Sequence, residues 1–152
     1  STNSFIDFSQ DESRQKYISE FEADTTSSFI DILYYSISHE NTMYRLMINS
    51  NNEYTLFEIQ ENMEIKPCKM GQLSREIFES LALPLKISGS FISFCKGTIS
   101  FNKTELILIK SNSQLLKICS LDGKIEETLT NNVNEFPAVS NLYEILMDVK
   151  EK

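Results

Sequence analysis

Between Leu85 and Leu121 the chain strings together short β-forming runs, LKISGSFISFCKGTISFNKTELILIKSNSQLLKICSL, and interrupts them every few residues with turn signals. Runs this short, rich in Ile, Phe and Thr, fit strands and leave no room for helices. The expected strands are Leu85–Ile87, Phe91–Cys95, Thr98–Phe101, Glu105–Ile109 and Gln114–Ser120. Their turns are Lys96-Gly97, Asn102-Lys103-Thr104, Ser111-Asn112-Ser113 and Asp122-Gly123, the last a favoured primed-turn pair. Lys96, Lys103, Lys110, Lys117 and Lys124 recur at an interval of seven, which reads as a hairpin repeat placing each lysine near a strand end. Lysines there discourage edge-to-edge pairing.

The N-terminal half carries a second set of strands. Phe29–Ser38, Met43–Ile48 and Tyr54–Ile59 are dense in β-formers and separated by the polar turns His39–Thr42 and Ser50–Glu53, an antiparallel meander. Tyr17–Glu22 alternates apolar and polar residues and reads as a further strand, after a loose N-terminus over residues 1–16. In the pair Tyr34-Tyr35, one ring is expected inside and one outside. Two helices stand apart from this pattern. Leu73, Ile77, Phe78 and Leu81 form a stripe stopped by Pro84, and Pro137 opens a run with Val139, Leu142, Tyr143, Leu146 and Val149 on one face. That second helix ends Lys150-Glu151-Lys152 without a stop signal.

At 152 residues the chain is expected to be a single domain with a core of its own. No apolar run approaches the roughly 18 residues of a membrane span. Charge is uneven. Residues 1–65 and 125–152 are acidic, residues 66–124 are basic, and the total is −8. Such a balance disfavours strong non-specific nucleic-acid binding, which needs many Lys and Arg against phosphates. The basic block is expected to pair largely with the acidic segments inside one fold, leaving some lysines to meet an acidic partner.

The chemistry available is sparse. One histidine, His39, lies in a polar turn with no nucleophile assigned to it, so Ser-His or Cys-His catalysis lacks its parts. Cys68, Cys95, Cys119 and His39 have no zinc-ligand spacing, and the four glycines are too scattered for a phosphate loop. No metal and no cofactor is expected. The cysteines form no C-x-x-C pair, and Cys95 and Cys119, inside apolar strand-like text, read as small buried thiols in a reducing compartment, nuclear or cytoplasmic. Abundant carboxylates keep a small carboxylate-based hydrolase as a remote alternative. They read better as a solvated surface.

The segments MGQLSREIFESLALPL, GTISFNKTELILIKSNSQLLKICSL and EFPAVSNLYEILMDVKEK, in that order, resemble the head-domain superfamily of the end-joining scaffolds, which includes the partner of DNA ligase IV. The resemblance is one of element order and hydrophobic pattern over most of the chain, so no functional residue is carried over. It implies a β-sandwich with an inserted helix, a scaffold role in DNA repair or chromosome maintenance in the nucleus, and a homodimer through an extended C-terminal helix. A pleckstrin-homology-like fold, a bent seven-stranded sheet capped by the helix from Pro137, is the alternative. It implies a binder of protein or phosphoinositide.

The chain is therefore expected to be an α+β domain, mainly an antiparallel β-sandwich or barrel-like sheet with an inserted helix and a C-terminal helix. Its expected role is a non-enzymatic interaction module, an adaptor or scaffold subunit of a multiprotein complex. Lys66, Lys69, Lys96, Lys103, Lys110, Lys117 and Lys124 are the residues expected to meet a protein partner.

Overall fold

The computed structural model describes residues 12–24, 30–37, 42–76, 91–96, 104–111, 114–120, 125–127 and 146–147. The chain is α+β and dominated by a mainly antiparallel sheet, as the residue pattern implies. One helix, α1 (Glu12–Ala23), is followed by seven strands: β1 (Ile30–Ser36), β2 (Thr42–Ile48), β3 (Glu53–Ile59), β4 (Ile65–Gln72), β5 (Phe91–Lys96), β6 (Glu105–Ser111) and β7 (Gln114–Ser120). They form one sheet in the order β4-β3-β2-β1-β6-β7-β5.

α1 replaces two expectations. Tyr17–Glu22 is helical rather than extended, and the helix takes in residues 12–16 of the stretch read as loose. Six alternating residues satisfy both periods. What decides between them is Ile18, outward in a strand but, in a helix, aligned with Arg14 and Phe21 at i, i+4 and i+7. Those three are the buried residues of α1.

β1 to β4 form the expected meander, extended by a strand. The β2–β3 turn is held by Asn49, whose Oδ1 accepts the Asn51 and Glu53 N–H groups at 2.9 and 3.1 Å. Asn52 there adopts φ 65, a conformation asparagine tolerates. The β3–β4 turn repeats the device, with Asn62 Oδ1 accepting from Glu64 N–H at 3.0 Å. β6 and β7 pair antiparallel, but β5 lies parallel to β7 on the far edge. The Leu85–Leu121 stretch is therefore not the plain meander its turns suggest. Leu85–Ile87 and Thr98–Phe101 fall outside the described residues, as do residues 1–11.

The described strands make one continuous sheet, covered on both faces by segments outside it. One face packs Ile32, Tyr34, Leu46, Leu56, Ile107 and Ile118 with Leu73, Ile125 and Leu146. The other packs Leu33, Tyr35, Met43, Leu106 and Leu108 with Ile18 and Phe21 of α1. Tyr34 and Tyr35 both point inward, one into each core, because β1 is central and neither face is open. Burial of each such side chain contributes about 1.5–3 kcal/mol. Arg75 and Glu76 are helical, as expected from the Leu73–Leu81 stripe, and so are Leu146 and Met147. The rest of both helices lies outside the described residues.

Candidate functional site

The described lysines of the basic block meet different surroundings. Lys110 and Lys117 are consumed by the fold, which corrects their assignment to a partner surface. Both are on the α1 face and buried. Lys117 Nζ donates to Glu22 Oε1 at 3.1 Å, and Lys110 Nζ donates to the Asp24 carbonyl at 2.8 Å while lying 4.0 Å from the centre of the Phe21 ring. Burial pushes the Lys110 ammonium below its ordinary pKa, against the pull of Asp31 and Asp24.

Arg45 completes this seam. Its guanidinium grips the fully buried Asp31 in two bonds, Nε to Oδ1 at 2.8 Å and Nη2 to Oδ2 at 2.5 Å. Nη1 donates to the Tyr17 hydroxyl at 3.0 Å, and the guanidinium lies 5.2 Å from the centre of the Phe21 ring. The Asp31 hydrogen bond, more than any other cause, holds Arg45 still more firmly protonated than usual. Acidic and aromatic groups of α1 thus meet basic groups of the sheet. Lys117 with Glu22 is a pairing of basic and acidic segments of the kind expected from the charge pattern, whereas Arg45 and Asp31 both belong to the acidic segment; together these contacts dock α1.

Lys66 is exposed and Lys69 half-buried, both on β4, which stands last in the order of the described strands. Lys96 lies at the end of β5, while Lys103 and Lys124 fall outside the described residues. β4 pairs only with β3 among the described strands, and its register places residues by face. Ile65 opposes Ile59, Pro67 opposes Phe57 and Met70 opposes Thr55, so these three share the α1 face. Lys66 opposes Glu58 and Lys69 opposes Leu56, on the other face.

The register shifts between Leu56 and Phe57, a bulge that leaves Cys68 unopposed. That extra residue reverses the alternation and returns Met70 to the face of Ile65. Ile65 is 48% exposed and Met70 74%, the exposed large hydrophobic side chains among the described residues. Gly71 is needed by its neighbour across the ladder, because a Cβ there would stand 2.6 Å from the Tyr54 hydroxyl. Cys68 is a free, exposed thiol, with Sγ 3.5 Å from the Lys66 carbonyl oxygen.

Cys119, by contrast, is buried and disulfide-bonded, which overturns its reading as a reduced thiol. The β5–β7 register sets Cys95 opposite it.

A cleft of about 460 Å³ opens where β2 begins and β3 ends, lined by Arg14, Met43, Tyr44, Glu58, Ile59 and Glu61 among others. Arg14 donates to the Ile59 carbonyl at 3.5 Å from beneath it. Burial, then the Glu58 charge, pushes the Tyr44 phenol up, so its hydroxyl stays protonated. Among the described residues no group of three His, Cys, Asp or Glu is placed to hold a metal ion. No described helix is long and apolar enough to cross a membrane.

No protein-family model matches this chain, and no curated protein matches it.

Proposed function

We propose that this chain is a non-enzymatic protein-interaction module, an adaptor or scaffold subunit that contacts its partner through β4. The observation that carries the reading is the exposure of Ile65 and Met70 on one face of the terminal strand, beside Lys66 and Lys69 on the other. Apolar side chains this exposed contribute nothing to the folded core, and grouped exposure of that kind marks contact surfaces. Burial is thorough at the centre of the sheet. Every residue of β1 and β6 is withdrawn from solvent.

A place in DNA repair or chromosome maintenance rests on element order alone. The Cys119 disulfide pulls against it, since such bonds persist in oxidising compartments rather than in the nucleus or cytoplasm. The interaction reading stands on β4 and needs neither setting.

The thiol of Cys68 offers the test, because it lies within the strand at issue. A cleavable photo-crosslinker attached there is expected to capture the same partner repeatedly from native cells. Capture is expected to vanish in Met70→Lys and to persist in Lys16→Ala, whose side chain lies exposed on α1. Equal capture by all three proteins would sink the reading.

A further inference from the structure

The two faces of β4 differ in chemistry, and that difference limits what fits beside it. We infer that β4 receives an extended segment of a partner protein in which apolar and acidic residues alternate, added to the sheet as a further strand. This rests on the interaction reading above and names the partner's chemistry.

Backbone groups of an edge strand alternate between its neighbour and the outside. Two bonds set the phase on either side of the bulge: Gln60 N–H to the Glu64 carbonyl at 2.9 Å, and Leu73 N–H to the Asn52 carbonyl at 2.8 Å. With that phase, Lys66, Lys69 and Gly71 turn their backbones toward β3. Ile65, Pro67, Met70 and Gln72 turn theirs outward. Pro67, which has no N–H, therefore sits where the sheet asks for none. The two residues with the exposed apolar side chains are also two whose main-chain groups face a newcomer.

A strand laid along this edge places successive side chains on opposite faces. Those beside Ile65 and Met70 meet apolar surface. Those beside Lys66 and Lys69 fall on the other face, where a carboxylate is the complementary group. A second copy of β4 fits worse, since it brings lysines against lysines. Nucleic acid fits worse still, against a chain of net charge −8.

The test uses the full chain and arrays of synthetic peptides of about nine residues, long enough to span a strand. In one array Asp alternates with Val, in the second the same residues are arranged in blocks, and in the third Lys alternates with Val. The Asp–Val alternating peptide is expected to bind about tenfold more tightly than the block peptide, a difference of about 1.4 kcal/mol. Lys66→Glu combined with Lys69→Glu is expected to move the preference to the Lys–Val array. Hydrogen exchange is expected to slow at the amides of Ile65, Met70 and Gln72 when peptide is bound.

Equal binding of alternating and block peptides, or no slowing at those amides, overturns strand addition. It leaves the contact reading standing if Met70→Lys still abolishes the Cys68 crosslinks. Binding that emerges only when residues 1–11 are deleted assigns the edge to this chain's own Phe5–Phe8 segment and overturns the partner. Loss of both the peptide preference and the Met70-dependent crosslinks removes the two readings together.

Discussion

β1 and β4 belong to the same sheet and have nearly the same length, yet they obey different rules. β1 has a strand on each side and packing on both faces, and even its Asp31 and Ser36 are buried. β4 is last in the order of the described strands, carries a bulge and a proline, and keeps most of its side chains in water. In the centre, each residue is explained by what it touches inside the molecule. At the rim, Ile65 and Met70 are not, and an explanation has to come from outside it. Stability and recognition are therefore assigned to separate strands, and substitutions can tell them apart.

The largest effect belongs to the centre. Asp31→Ala leaves the part-buried Arg45 without its carboxylate, and chemical denaturation is expected to show a loss of about 3–5 kcal/mol. A loss under about 1 kcal/mol would mean that the seam does not hold α1. Tyr34→Phe removes one hydroxyl, which donates to Glu105 Oε2 at 3.0 Å, and is expected to cost about 1–2 kcal/mol by the same measurement. Met70→Thr, at the rim, is expected to stay within about 0.5 kcal/mol of the parent. A larger change would erase the contrast, since Met70 would then be part of the core.

Thiol labelling gives a yes-or-no version. In the folded, unreduced protein, Cys68 is expected to alkylate fully and Cys119 not at all. Mass spectrometry of the peptides decides it.

The smallest effect is in alkaline solution. A Lys110 pKa lowered in the fold means that the unfolded chain binds the extra proton just below 10.5, so stability rises with pH through that window. A raised Tyr44 pKa does the reverse, with stability present below 10.0 and lost as pH climbs above it. Lys110→Met is expected to flatten the rise and Tyr44→Phe the fall, read as denaturation midpoints across the alkaline range. Changes of the same sign in both variants would contradict the assigned environments.

The residues announce the centre and hide the rim. β1, β6 and β7 are legible because a strand buried on both faces reads as a nearly continuous apolar run. α1 misleads because Tyr17–Glu22 is too short to separate the two periods. β4 goes unread for a more specific reason: the bulge at Cys68 inverts the alternation halfway, and Pro67 argues against any strand that is not at an edge. The lysine interval is real in the text but not in function. Lys110 and Lys117 find their partners 86 and 95 positions away, at Asp24 just past α1 and Glu22 within it, and no local pattern reports a pairing that distant. Lys66, outside the interval, is exposed and Lys69 half-buried.

The position of β1 also has a consequence during synthesis. Its second neighbour is residues 105–111, made long after β1 itself has left the ribosome. Until they arrive, this strand, buried along its whole length in the finished fold, is the uncovered edge of a four-stranded meander, open to any other nascent chain. Slow translation past residue 60, or a stop before residue 105, is therefore expected to yield inclusion bodies rather than a smaller folded protein. The order in which the sheet is translated makes a fully buried central strand an early hazard.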